Sequence, residues 1–271
     1  MKIKIGLTGA TGNLGKTILK NKKKQLIKIY KHDIRDRRKV FRWVEKNKFD
    51  VLIHLAAIVP IKSVNSNRKK AKNVNFYGTK NIVDASIKTS VKWFFFSSTS
   101  HVYCSSRKKI SEKNKTKPIS FYGETKLLAE KYIIKKFRNS STKYCIGRIF
   151  STTNKEQKMN YLVPDLKNRI RKSKDYIILK NLNHYRDFIS MYDISKIVFN
   201  LMKINFNGII NIATGKKILL KKIAKIILKK YKKNKYIFQD NPKATYLVGD
   251  ITKLSKITGY KPKAKIEKLI F

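Results

Sequence analysis

The chain has 271 residues, 42% of them hydrophobic, enough to bury a large core in one substantial domain or a domain plus a smaller lobe, which excludes a disordered protein. Its net charge of +49 would ordinarily indicate nucleic acid or another anionic surface, but Lys outnumbers Arg 54 to 11 and is spread over nearly every segment, as strongly AT-rich coding sequence would drift. Two cysteines, Cys104 and Cys145, lack CxxC spacing; they exclude a disulfide framework or a four-ligand zinc site and read as reduced thiols.

The opening Met1-Lys-Ile-Lys-Ile-Gly-Leu-Thr-Gly reads as a short strand broken by glycine rather than a signal peptide. No later apolar run approaches the ~18 residues that cross a membrane. A cytosolic protein with no membrane partner is expected. Further strands are predicted at 50–55, 91–97, 143–149 and 208–212, with an abbreviated one near 26–31. Helices are predicted at 15–23, 37–47, 67–89, 122–137 and 193–203. This alternation is the pattern of right-handed βαβ units, so the fold class is α/β, a doubly wound parallel sheet.

After Phe150 the pattern loosens into a lysine-rich loop, a helix at 161–172 and a strand at 176–180. We therefore expect a dinucleotide-binding domain over 1–150, with 186–215 returning to it. Residues 151–185 and 216–271 would form a smaller substrate-binding lobe. Lysine clusters at 22–24, 229–235 and 261–265 carry no interleaved aromatic platform, so nucleic acid is not the expected partner. Their field should still attract anionic ligands such as nucleotides.

Three short stretches carry chemistry. Gly9-Ala-Thr-Gly12-Asn-Leu-Gly15 follows the first strand and opens a helix. A GxxGxxG turn there lets backbone approach a pyrophosphate, which the helix N-terminus receives with unpaired N–H groups and a positive dipole end. Tyr122-Gly-Glu-Thr-Lys126 places a phenol and an ammonium one helical turn apart, on one face. An adjacent cation should lower the phenol from its usual ~10 towards neutrality. Finally, Phe94-Phe-Phe-Ser-Ser-Thr-Ser-His-Val-Tyr103 runs a water-excluding strand into four hydroxyls and a histidine. That run is either a plain strand end or the edge of a site.

Together these motifs resemble the extended short-chain dehydrogenase/reductase family, the NAD-dependent epimerase/dehydratase group acting on nucleotide sugars. The resemblance covers nearly the whole chain and implies a Rossmann-type fold with a smaller C-terminal lobe. It implies NAD or NADP bound by Gly9, Thr11, Gly12, Asn13, Leu14 and Gly15, with Asp33 and Ile34 at the adenine. His54-Leu55-Ala56-Ala57 matches the strand end beside the cofactor, with Leu55, Ala56 and Ala57 as contacts. Asn75, of the Asn-x-x-Gly-Thr helix, Ser97, Ser98, Tyr122 and Lys126 complete the cofactor set. In this comparison Thr99 hydrogen-bonds the sugar oxygen, Tyr122 transfers the proton, and Lys126 holds the nicotinamide ribose and depresses the Tyr122 pKa. Thr99, Ser100 and Arg186 are the implied substrate contacts, Arg186 at the diphosphate; no metal is implied.

The departures bear on the reaction. Sugar 4,6-dehydratases of this group need a carboxylate two residues after the Thr; His101 stands there, which disfavours dehydration. One branch of the family uses a cysteine at that place to move a proton beside the keto group, so His101 is a fourth catalytic candidate. Cys104 replaces the Gly after Val-Tyr, and Ser151 replaces an Asn. The short second strand carries no acid at its end, and Lys31 and Arg35 nearby permit NADP. The implied activity is reduction of a 4-keto group on a nucleotide-activated sugar for polysaccharide synthesis, or epimerisation. Alternatives are a C4 epimerase and a catalytically silent dinucleotide-binding regulator. A homodimer is allowed.

Overall fold

The computed structural model describes residues 3–21, 25–157, 159–263 and 265–271. Lys2 of the expected first strand, Lys22 and Lys23 of the expected first helix, and the Lys22–Lys24 cluster lie outside these.

The central sheet begins with β1 (Lys4–Thr8), β2 (Leu26–Ile29), β3 (Val51–His54), β4 (Trp93–Thr99) and β5 (Lys143–Ile149). The chain then adds β6 (Ser151–Thr152), β7 (Ile177–Lys180), β8 (Tyr185–Arg186) and β9 (Phe188–Ile189) outside it, and returns in β10 (Gly208–Ile212). Strand order is β10-β5-β4-β3-β1-β2, every pair parallel. The chain moves outward from β1 to β2, then reverses to β3. The carboxyl ends of β1 and β3 therefore flank the crevice where ligands bind in such sheets.

Helices α1 (Asn13–Lys20) and α8 (Met191–Lys203) cover one face; α2 (Arg37–Asn47), α5 (Thr79–Lys88) and α6 (Phe121–Phe137) cover the other. Between α2 and α5 the chain forms α3 (Ile61–Ser66) and α4 (Arg68–Lys72); α7 (Leu162–Lys172) precedes α8. The aromatic run of β4 follows from this sandwich. Alternation sends Trp93 and Phe95 to the α1/α8 side and Phe94 and Phe96 to the α2/α5/α6 side. Each buried ring contributes about 2 kcal/mol from apolar area alone.

Element limits differ from expectation by a few residues. The fourth strand starts at Trp93 and runs on to Thr99, so three of the four hydroxyls, Ser97 to Thr99, are strand, and Ser100 opens the 3₁₀ turn that follows. The second strand stops at Ile29 rather than near 31. The single helix expected over 67–89 is α4, a π-helical turn at Asn73–Gly78, and α5. At this turn Ile34 lies where any side chain on residue 78 would sit, its Cδ1 2.6 Å from the Cβ position.

A second core contains Val163, Leu166 and Ile170 of α7, Leu179 of β7 and the apolar stripe of α9 (Leu220–Lys230). Around it lie β11 (Ile218–Leu219), β12 (Tyr236–Gln239) and β13 (Tyr246–Leu247), followed by α10 (Thr252–Thr258) and α11 (Ile266–Ile270). They form the sheets β11-β8-β13 and β12-β7. One carboxylate ties this part to the main sheet. Asp187, fully buried, accepts from Thr214 N and Gly215 N after β10, from the Thr214 hydroxyl, and from Gly249 N after β13. Asp187→Asn would set an NH2 group against those donors and should lower stability by about 2–4 kcal/mol. Urea denaturation measures it; an unchanged midpoint would show that the donors find other partners.

Candidate active site

The glycine turn closes on the end of β3. Gly9 has φ +72, and a Cβ there would stand 2.6 Å from Ala56 N, so conformation and close approach both demand glycine. At Gly15 a Cβ would lie 2.3 Å from Gly9 O, which lets α1 sit directly on the turn. Gly12 differs: its Cβ position meets nothing nearer than Gly9 O at 3.4 Å. Its smallness therefore keeps open the space over the first turn of α1, whose N-cap supplies no side-chain acceptor. Thr11 is exposed, with Asn13 and Leu14 partly so. A pyrophosphate fits this cradle, because unpaired N–H groups face a surface that a side chain would fill.

Beneath the turn a buried hydroxyl chain fixes one tautomer. Thr8 Oγ1 accepts from Leu55 N and Ala56 N, both at 3.2 Å, so its proton goes to His54 Nδ1 at 2.7 Å. Thr79 Oγ1 donates to Asn75 O at 2.8 Å and accepts from His54 Nε2–H at 2.9 Å. Burial, with the Lys126 charge nearby, pushes the imidazole down to about 3, and it stays neutral. Asn75 has no free amide edge: it exchanges bonds with Ile58 N and O and donates to Thr125 Oγ1. It braces the loop after Ala57 instead of projecting from it.

Ser120 caps α6 by accepting from Gly123 N at 3.1 Å, which places Tyr122 in the first turn and Lys126 one turn on. Thr99 ends β4 and accepts from His101 N at 3.2 Å. Thr99, Tyr122, Lys126 and His101 thus meet where β4 ends against α6. The electrostatics differ from expectation. Burial raises Tyr122 above the usual phenol range, Tyr161 adds to the rise, and the Thr99 hydroxyl opposes it. Lys126, itself buried with Nζ 4.0 Å from the Phe96 ring centre, is pushed down by that burial to about 7. His101 also departs from a free imidazole: burial first and Arg186 second lower it to about 4. Its Nδ1 lies 3.0 Å from Ser120 Oγ.

The other expected residues divide. Ser97 is half-buried within β4, whereas the buried Ser98 hydroxyl donates to Glu130. Ser100 is 2% exposed. Arg186 reaches the same cleft as His101, together with Arg68, Phe121 and His184, and its guanidinium donates to Tyr185 O, Thr245 O and Thr245 Oγ1. Burial lowers Arg186 to about 10, still cationic. Asp33 holds Arg35 through both carboxylate oxygens, which commits that guanidinium, while Ile34 is buried beside the π-helical turn. The sequence reading missed Thr8, Ser120, Glu130 and Arg148. Only Ser120 left a trace, as a hydroxyl two residues before Tyr122.

A family model described as GDP-mannose 4,6 dehydratase matches residues 6–271. The chain is 32% identical over 227 residues to the GDP-6-deoxy-D-talose 4-dehydrogenase of Aggregatibacter actinomycetemcomitans, covering 79% of this chain and 75% of that protein. It is 27% identical over 211 residues to a UDP-glucose 4-epimerase of Lactobacillus helveticus, covering 69% and 63%. Among solved structures, the UDP-glucose 4-epimerase of Thermotoga maritima with UDP-glucose superposes with TM-score 0.87 at 21% identity, over 99% of this chain and 96% of that one. RMD from Pseudomonas aeruginosa, complexed with NADPH, gives 0.88 at 16% identity over the same shares. These two share the fold, a Rossmann-type parallel sheet with flanking helices. With the family model spanning the chain from β1 to its last residue, the protein belongs to the extended short-chain dehydrogenase/reductase family, in its nucleotide-sugar epimerase and dehydratase group.

Proposed function

We propose that this enzyme uses NAD or NADP to reduce a 4-keto group on a nucleotide-activated sugar, or to epimerise that carbon. The observation that carries the reading is the meeting of Thr99, Tyr122 and Lys126 at the end of β4, with Arg186 and His101 lining one adjoining cleft. Reduction is favoured over dehydration because residue 101, two beyond Thr99, is a neutral imidazole and not a carboxylate. The relative named as a 4-dehydrogenase supports it; the relatives named as 4-epimerases support the second reading. A cytosolic setting fits this reading, with a homodimer allowed and nucleic acid not the expected partner. Among the described residues no helix is long and apolar enough to cross a membrane, and both cysteines are free.

When bound, the nicotinamide supplies hydride to the keto carbon or takes it up. Gly9, Gly12, Gly15 and the first turn of α1 would hold its pyrophosphate, and Lys126 its ribose. Asp33 and Ile34, after β2, would meet the adenine. Tyr122 delivers a proton to the oxygen of that carbon, and the Thr99 hydroxyl donates to the same oxygen as charge develops on it. A phenol raised by burial is held protonated, as a proton donor must be. The guanidinium of Arg186 would hold the diphosphate by charge-assisted hydrogen bonds.

Tyr122→Phe should leave dinucleotide affinity nearly intact and lower turnover by about 100- to 10,000-fold. A fully active Tyr122→Phe enzyme would sink the mechanism. Arg186→Met should weaken nucleotide-sugar affinity by about 10- to 100-fold in calorimetry, with the melting temperature as a folding control; equal affinity would remove Arg186 from the substrate site. In deuterium oxide a 4-keto nucleotide sugar should gain no deuterium at C3 or C5, since an imidazole lowered to about 4 is a weak base. Incorporation that disappears in His101→Ala would instead make this a combined epimerase and reductase.

A further inference from the structure

Among the described residues two guanidinium groups are not exposed, and they are met in different ways. Arg148 of β5, 4% exposed, is paired with the buried Glu130 carboxylate of α6, Nε donating at 3.1 and 3.2 Å and Nη2 at 2.7 Å. Arg186 has no such partner. Half-buried in the cleft wall, it donates from Nη1 to Tyr185 O and Thr245 O and from Nη2 to Thr245 Oγ1, none of them charged. That leaves Nε–H and one Nη2–H, a fork suited to two oxygens of one phosphate.

Strand register sets a second donor beside this fork. β8 and β13 run parallel with Tyr185 opposite Tyr246, their rings stacked at 4.7 Å, and Tyr185 N donates to Thr245 O. Thr245 therefore stands against His184, whose own carbonyl accepts from Leu220 N at 2.9 Å. Thr245 N donates to His184 Nδ1 at 3.1 Å, and Thr245 Oγ1 lies 3.2 Å from the same atom. A backbone N–H can only donate, so Nδ1 is the acceptor of this ring and the proton sits on Nε2. A second proton, on Nδ1, would point at the Thr245 N–H. Burial and the Arg186 charge also favour the neutral ring, with Asp240 opposing them. Nε2–H has no acceptor among the described residues and is left for the cleft that His184 lines.

That cleft, of about 430 Å³, has Arg68 and Arg186 as its charged lining and no carboxylate. His101, also in its wall, sets its ring edge-on to Tyr122 with centres 6.0 Å apart and so marks the catalytic side. We propose that His184 is a second, uncharged anchor for the substrate diphosphate: the Arg186 fork takes one phosphate, and His184 Nε2–H donates to an oxygen of the other. A neutral donor adds a directed hydrogen bond without desolvating a second cation. The proposal rests on the functional reading above and narrows the ligand of this cleft to a nucleoside diphosphate group.

The test is calorimetry of UDP, GDP, dTDP and CDP on the full chain saturated with NADPH or NADH, so that the dinucleotide site is already filled. His184→Ala, and His184→Phe, a ring without the donor, should each weaken whichever nucleoside diphosphate the wild type takes by about 10-fold. Dinucleotide affinity and melting temperature should not change. His184→Gln, whose amide N–H reaches about as far as Nε2–H, should recover most of the affinity. Because His184 also touches Thr245, which holds Arg186, His184→Ala is repeated in the Arg186→Met background. A histidine with its own phosphate contact should still be worth about 10-fold there. Wild-type affinity in folded His184→Ala or His184→Phe would overturn the proposal, as would a His184→Gln variant as weak as either. A loss that vanishes once Arg186 is gone would also overturn it and make His184 a support for Arg186. A wild type that binds dinucleotide but none of these nucleoside diphosphates would overturn the functional reading itself.

Discussion

The first turn of α6 comes so close to the turn after β4 that a Cβ on residue 123 would stand 2.2 Å from the His101 carbonyl oxygen. No side chain fits that gap, and glycine lets two backbones touch. Because they touch, Thr99 at the end of one element and Tyr122 at the start of the other can address one atom of a ligand. The Ser120 hydroxyl that caps α6 and the His101 ring meet beside the contact, 3.0 Å apart. The geometry is backbone against backbone, with little rotamer freedom to lose, which suits groups that must stay in place while bonds change.

Closeness has an electrostatic consequence. Excluding water from the contact places Tyr122, Lys126, His101 and Arg186 in a poorly polarisable environment, and desolvation is the largest influence on each. Each is displaced towards its uncharged form. A ligand bringing negative phosphates and polar hydroxyls would reverse part of this displacement. Burial thus holds these cations in an unfavourable state that an anionic ligand would relieve, and the positive field of the surface lysines would favour the approach of such ligands.

Much of the fold could be read from the chain. Alternating apolar runs located every strand of the central sheet to within a few residues, because buried parallel strands are nearly continuous in hydrophobic residues. The glycine turn and the Tyr-x-x-x-Lys pair were legible because steric demands and helical spacing leave marks at fixed offsets. Glu130 and Arg148 left none: charged residues are exposed by default, and nothing in a helix or strand pattern marks the exception. The hydroxyl chain from Thr8 through His54 to Thr79 joins residues far apart in sequence and needs the fold to exist. The proton affinities were misjudged for a related reason. Spacing shows that Tyr122 and Lys126 are neighbours, but burial decides which form each adopts, and burial belongs to the assembled molecule.

The place of β10 also governs how the protein is made. β5 pairs with β4 on one side and with β10 on the other, and the entire segment carrying β6 to β9 and α7 to α8 intervenes in the chain. During synthesis the sheet can form from β1 to β5 while the outer edge of β5, with buried Cys145 and Ile146, still lacks its partner. Until residues 208–212 emerge, that edge is an open template for another nascent chain. At ~5–20 residues per second the interval lasts several seconds, the period in which a chaperone would matter most to this protein.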